Sequence, residues 1–273
     1  MKDIKVKEIY TNNYVTKSKL PSADYVINPY VGCTNACKYC YASFMKRFTG
    51  HTEAWGDFID VKKCDKEIDT KKLINKTVLL SSVTDCYNEL EEKYMITRNI
   101  LNTLKDVDCN INISTKSSLV LRDIDILKKC KNLLVSIYIN TLDENFKNDM
   151  DNAPSINGRL NTLKELKQNG IYTVLFMSPI FPYITEVNKI IETSKEYVDE
   201  YWFENLKLRG RHKTYILNYI KEKYNKLYDK YIDIYVNNNK EYWKKLSCEI
   251  DEYCIKNNIK YVNYFYHDEI KKK

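Results

Sequence analysis

The chain reads as an α/β protein, a six-unit partial barrel followed by a mainly helical extension. Three observations predict this. Short runs that are apolar on both faces alternate with helical patterns, as parallel strands joined by crossover helices require. Six such runs fall before residue 210, and the alternation stops there. At 273 residues and 44% apolar composition, the chain is long enough to bury a full core.

The first predicted strand is Tyr25 to Val31, passing through the Asn28-Pro29-Tyr30 turn. Thr77 to Val83, Cys109 to Ser114, Leu133 to Ile139, Tyr172 to Met177 and Glu200 to Leu206 follow as strands two to six. Helical spacing marks Glu91 to Leu104, Ile124 to Cys130, Arg159 to Gln168 and Glu186 to Tyr197 between them. Asp123 stands where it can cap the second of these helices, and Gly170 where it can end the third. Beyond Gly210, Tyr215 to Val236 and Lys240 to Ile255 read as helices and Tyr261 to Tyr266 as a last strand. The expected division is an N-terminal segment 1–24, a barrel 25–210 and an extension 211–273.

No stretch approaches the roughly 20 apolar residues of a membrane span, and no apolar signal region follows the charged Met1 to Lys7. Nine cysteines in such a chain point to reduced thiols, metal ligation or catalysis, and so to the cytoplasm. The net charge of +7 is uneven: Asn205 to Lys230 holds eight Lys and Arg against only Glu222 and Asp229. This window is either a surface for an anionic partner such as nucleic acid or the solvated face of a helix. Tyr215, Tyr219, Tyr224, Tyr228 and Tyr231 interleave with its lysines, as stacking surfaces or, at helical spacing, as core.

Cys33, Cys37 and Cys40 have the spacing C-x3-C-x2-C. Three thiolates on one tight loop can ligate three corners of an iron–sulfur cubane, leaving the fourth iron open to an outside ligand. A zinc site with a remote fourth ligand is the competing reading, although structural zinc usually recruits paired C-x2-C units. The other six cysteines lack cluster spacing and read as buried thiols.

The match extends past the cysteines. Asn28-Pro29-Tyr30-Val31-Gly32-Cys33 with Tyr39-Cys40-Tyr41-Ala42 resembles the signature of the spore photoproduct lyase-like family of radical S-adenosylmethionine (SAM) enzymes. Val83-Thr84-Asp85-Cys86-Tyr87 with Glu91, then Thr97-Arg98, Thr115-Lys116-Ser117 and Arg122-Asp123 resemble its later blocks in order. Val135-Ser136-Ile137, Ala153-Pro154-Ser155, Arg159-Leu160 and Ser178-Pro179-Ile180-Phe181-Pro182 continue it.

The resemblance implies a partial (β/α)6 barrel of the TIM type, with the cluster loop after the first strand and chemistry at the C-terminal mouth. It implies a [4Fe–4S] cluster and SAM as cofactors, and a low-potential one-electron donor of the flavodoxin or ferredoxin type as partner. Lys116 suits the SAM carboxylate as a point charge, and Thr84 and Asp85 stand where the superfamily receives the methionine amino group. Tyr39 is placed like the aromatic whose backbone meets adenine. Ser136 is a candidate for the carboxylate or ribose, or a hydroxyl satisfied by nearby backbone. Arg159 is a further SAM candidate or a solvated ion-pair former.

One departure bears on the reaction. The family's repair enzyme has a hydrogen-donating cysteine just before the Thr/Ser-Asp pair, where this chain has Ser82; Cys86 lies on the other side of Asp85. Cys86 is therefore read as a substituted hydrogen donor or relay, or as a buried structural thiol. The expected activity is reductive cleavage of SAM to a 5′-deoxyadenosyl radical that abstracts hydrogen from a substrate, nucleic acid first. Modification of a peptide or partner protein is the alternative, and a non-catalytic iron–sulfur accessory role the third.

Overall fold

A computed structural model describes residues 4–266. Eleven strands are present among them: β1 (Lys5–Tyr10), β2 (Val15–Lys17), β3 (Tyr25–Ile27), β4 (Tyr30–Gly32), β5 (Phe58–Lys63), β6 (Thr77–Leu80), β7 (Asn110–Thr115), β8 (Asn132–Tyr138), β9 (Tyr172–Ile180), β10 (Glu200–Asn205) and β11 (Tyr261–Asn263). The helices are α1 (Glu91–Tyr94), α2 (Ile96–Leu104), α3 (Ile124–Leu127), α4 (Glu144–Met150), α5 (Ile156–Gln168), α6 (Val187–Ser194), α7 (Gly210–Lys223), α8 (Tyr228–Tyr235) and α9 (Glu241–Lys256).

The main sheet runs β11-β10-β9-β8-β7-β6-β3-β2. Every pairing from β3 to β11 is parallel, and β2 is antiparallel to β3 at the edge. This is the six-unit partial barrel with a seventh parallel strand, β11, added from the end of the chain. The strand residues between the two layers are almost wholly buried: Ile113, Val135, Ile137, Leu175, Met177 and Phe203 are 0% exposed. Leu163 and Leu166 of α5 and Ile190 and Ile191 of α6 complete that core from the helical layer.

Alternation along the strands sends a second set the other way, into the barrel. Register places Ser114 opposite Ser136, Tyr138 opposite Phe176, and Phe176 opposite Trp202. These rings form a continuous row across three strands, with Tyr138 and Phe176 stacked at 5.0 Å and Trp202 edge-on to Phe176 at 5.5 Å.

Several sequence expectations are corrected. The first strand is two, because Pro29 has no N–H to continue the ladder. Its carbonyl instead accepts from Lys62 N–H at 3.1 Å, and β4 leaves for a separate three-stranded sheet, β1-β5-β4. The predicted helix 91–104 breaks at Met95, which is left-handed at φ 48°. The helix expected over 215–236 begins earlier, at Gly210, and breaks at Tyr224 into α7, a 3-10 turn (Asn225–Leu227) and α8. Asp123 does not cap α3; its carboxylate is held by Arg98 and Arg122 at 2.8 Å each. Gly170 ends α5 as expected, with φ 76° and its own and the next N–H bonded back to Lys167 and Leu166. Strands β1, β2 and β5, helix α4 and the 3-10 helix Tyr41–Phe48 lie where the sequence reading placed no element. The ends of the expected N-terminal segment and extension, 1–3 and 267–273, lie outside the described residues.

Candidate active site

The three cysteines follow β4 on a loop that only particular residues allow. Gly32 has φ 97°, and a Cβ there would stand 2.3 Å from the Phe58 carbonyl oxygen. The loop folds back on itself through Ala36 N–H to the Cys33 carbonyl at 3.2 Å and Cys40 N–H to the Cys37 carbonyl at 3.1 Å. Distant segments then clamp it. Thr84 Oγ1 donates to the Gly32 carbonyl at 2.5 Å, and Asn35 Nδ2 to Asp85 Oδ2 at 3.0 Å. Lys38 N–H reaches the Met150 carbonyl at 2.9 Å, and Asn152 N–H the Asn35 carbonyl at 2.8 Å.

Burial pushes all three thiols up, Cys40 to about 12; beyond burial, Cys33 is raised by Asp85 and by the other two sulfurs. Among the described residues no three His, Cys, Asp or Glu side chains stand in single-ion geometry. Three thiols held by one loop are the ligand type of iron–sulfur clusters.

Lys116 directly follows β7 and points at this loop. Its Nζ lies 3.2 Å from Cys37 Sγ, 2.6 Å from Tyr39 Oη and 2.5 Å from Asp151 Oδ2. Burial alone would lower its pKa, but Cys37, Tyr39 and Asp151 outweigh that and hold the ammonium charged. Tyr39 Oη also donates to Asp151 at 2.9 Å. Asp151 had no sequence assignment; its only signal was its place just before the Ala153-Pro154-Ser155 block.

Arg159, on the first turn of α5, is 1% exposed and so is no solvated ion-pair former. Nη1 donates to the Tyr138 carbonyl at 2.9 Å, while Nε and Nη2 are buried without a hydrogen-bond partner. Its charge helps hold the Asp151 carboxyl down and opposes that of Lys116.

The remaining sequence-predicted residues are placed differently. Asp85 accepts from Thr115 Oγ1, Tyr87 N–H, Asn35 Nδ2 and Lys116 N–H at 2.6–3.0 Å, which fills its acceptor positions and makes it a brace of the loop. Ser136 is 0% exposed, its hydroxyl 2.7 Å from that of Ser114 and 3.1 Å from the Ile113 carbonyl, so nearby groups already satisfy it. Cys86 is 0% exposed in the apolar core. Its carbonyl accepts from Thr97 Oγ1 at 2.7 Å, on the side of the Glu91 frame, and burial in that core favours a structural thiol over the donor or relay reading.

Other motif residues form a frame behind the site. Glu91, 0% exposed, accepts from Tyr30 Oη at 2.5 Å, Thr97 N–H at 2.9 Å and Arg122 Nη2 at 2.9 Å. Asp123 accepts from Arg98, Arg122 and Tyr87. These residues hold strands and helices together; none of those contacts involves the thiols.

The basic window begins against the cluster loop. His212 of α7 donates from Nδ1 to the Lys38 carbonyl at 2.8 Å, so in the neutral ring Nε2 accepts from Ser43 Oγ at 2.6 Å. Tyr219 and Tyr231 are buried and belong to the core, whereas Tyr215 is exposed, 5.9 Å from Lys38 Nζ. Tyr41, Phe44 and Phe48 of the 3-10 helix are also exposed, with Arg47 over both phenylalanine rings.

A parallel partial barrel with a three-cysteine loop after β4 and a buried lysine beside one of its thiols defines a class of SAM-dependent iron–sulfur protein. The Radical SAM superfamily profile matches residues 27–197, and the chain belongs to that superfamily. It is a radical SAM enzyme, and the superfamily implies SAM and an iron–sulfur cluster. The chain is 37% identical over 246 residues to an uncharacterized protein, MJ0683, of Methanocaldococcus jannaschii, covering 87% of this chain and 94% of that protein. It is 30% identical to the uncharacterized protein ORF301 of Acidianus two-tailed virus, covering 74% and 73%. Among solved structures it is similar to a spore photoproduct lyase variant with dinucleoside spore photoproduct, at TM-score 0.59 and 16% identity. That match covers 80% of this chain and 66% of the lyase, and it is a likeness of fold. No helix is long and apolar enough to cross a membrane among the described residues.

Proposed function

We propose that the protein holds a [4Fe–4S] cluster on Cys33, Cys37 and Cys40, cleaves SAM reductively, and acts on nucleic acid at the barrel mouth. Arg159 carries this reading. A buried guanidinium whose Nε and Nη2 have no partner, and whose charge is felt at Lys116, can receive a carboxylate such as that of SAM. When bound, cluster and SAM supply a one-electron cleavage to methionine and a 5′-deoxyadenosyl radical, which takes hydrogen from the substrate.

The chain's own residues bind and orient. Lys116 and Arg159 set the anion, Asp151 and Tyr39 fix Lys116, and Asp85 and Thr84 hold the loop in place. The electron comes from a low-potential donor of the flavodoxin or ferredoxin type. Support for nucleic acid is the basic window, which meets the cluster loop and the 3-10 helix Tyr41–Phe48 through His212, together with the exposed rings of Tyr41, Phe44, Phe48 and Tyr215. Such a mixture of cations and aromatic faces suits single strands.

The test is anaerobic reconstitution followed by SAM and a reductant, with 5′-deoxyadenosine as product. Arg159→Gln is expected to weaken SAM binding roughly 10- to 100-fold, from the 1.5–3 kcal/mol of a hydrogen bond to a charged group. Unchanged SAM affinity, or no 5′-deoxyadenosine from the wild type, overturns the reading. Binding of single-stranded DNA or RNA should fall linearly with salt on logarithmic axes. Absence of that binding turns the substrate toward a peptide or partner protein.

A further inference from the structure

We propose that an unpaired base of the substrate strand enters the barrel mouth and stacks on the row Tyr138, Phe176 and Trp202. This deepens the nucleic-acid reading above and rests on it. It assigns three residues that no motif block contains.

The barrel interior changes character along its strands. Register puts Ser114, Ser136, Val174 and Glu200 on one level, and all four are buried. Two residues further toward the C-terminal mouth, Tyr138, Phe176 and Trp202 share the next inward level, and each is only half-buried. The alternate residues Ile137, Leu175 and Phe203 are 0% exposed, and Tyr201 Oη lies 2.9 Å from Ser194 Oγ of α6, so that set faces the helices. Partly exposed rings above a sealed floor describe a cup that opens at the mouth.

The wall of this cup is held in place. Trp202 Nε1 donates to Glu200 Oε1 at 2.9 Å, and its ring stands edge-on to Phe176 and to Tyr264, at 5.5 and 5.7 Å. Tyr138 stacks on Phe176 at 5.0 Å. Fixed rings offer a base its apolar face without ordering loose side chains first. Just beyond them the β9–β10 register slips between Phe203 and Asn205, and there Ser178 Oγ donates to Glu204 Oε2 at 2.5 Å. Bulges re-aim side chains beside sites. Here the rim is polar above an apolar wall, which matches a base with its ring face and its hydrogen-bonding edge.

The cup also adjoins the SAM anchor. Thr115 pairs with Ile137, so Lys116 comes level with Tyr138 on the neighbouring strand, about 4.8 Å away between backbones. A base inside a duplex cannot reach this wall; an unpaired or extruded one can.

Photocrosslinking tests the contact in the wild type. Reconstituted protein with SAM is bound anaerobically to short single strands of DNA and RNA in which one 5-iodouracil is moved position by position. After irradiation, mass spectrometry is expected to find the adduct on Tyr138, Phe176 or Trp202. Strand binding with adducts only on Tyr41, Phe44, Phe48 or Tyr215, or with none, overturns the proposal and leaves the nucleic-acid reading standing. Phe176→Leu keeps apolar volume and removes the central ring, so strand affinity should fall roughly 5- to 150-fold. Unchanged affinity in a folded variant overturns the proposal as well; should the variant not fold, the wild-type adduct decides. A wild type that binds no strand refutes the nucleic-acid reading itself, which is a separate and recognisable failure.

Discussion

At the scale of single residues, Asp151 governs the electrostatics of the site. Burial pushes its carboxyl up, but Lys116 and then Arg159 outweigh burial and hold it below the usual carboxylate range. A depressed folded-state pKa contributes stability that is fully present above the unfolded value, about 3.9, and is lost as pH falls through the folded value. Asp151→Asn should therefore flatten the acid limb of the stability profile below about pH 4 in urea melts. It should also cost about 3–5 kcal/mol near neutrality, because Lys116 and Arg159 are left buried without a counter-charge. A variant with an unchanged acid limb refutes the pairing. Sequence reading found Lys116 and Arg159 but missed Asp151. A lone acid between a helix and a proline has no periodicity or spacing to mark it; only the folded chain brings it 35 positions back to Lys116.

At the scale of elements, the cluster loop is shaped by contacts between backbones. Gly32 meets the Phe58 carbonyl and Gly56 meets Ala36, so neither site has room for a methyl group. Gly32→Ala combines left-handed strain with overpacking, each costing about 1–3 kcal/mol. The expected result is a lower melting temperature together with reduced iron content per chain; a variant with wild-type values of both refutes this account. Strand β5, which makes half of that contact, was invisible in the pattern. Its residues Phe58, Ile59, Asp60 and Val61 are all buried, so no alternation betrays a strand, and one acid in the run masks its apolar character. Five of the six barrel strands were readable as runs holding Val, Ile or Leu between polar turns, and the sixth as the aromatic run Tyr201-Trp202-Phe203. Helix ends fared worse, since Met95 and Tyr224 break their helices through backbone geometry that ordinary side chains do not advertise.

For the molecule as a whole, the motif blocks served two purposes that sequence could not separate. Some face the thiols; others, around Glu91 and Asp123, tie β4, α1, α2 and the segment before α3 into one buried network. Glu91→Ala leaves Arg122 and Tyr30 without their acceptor. The expected loss is about 3–5 kcal/mol, or roughly 10 °C in melting temperature at about 2–4 °C per kcal/mol. SAM affinity of the folded fraction should stay unchanged, and a selective loss of SAM binding at wild-type stability would place Glu91 in the site instead.

The clamps on the cysteine loop carry a consequence for the order in which the protein matures. Gly32 waits for Thr84, Asn35 for Asp85 and Asn152, Lys38 for Met150 and finally for His212. Every one of these partners follows the thiols in the chain, so the loop takes its final shape only once the barrel and the start of α7 have folded against it. The site is thus completed last, although its thiols precede everything that completes it.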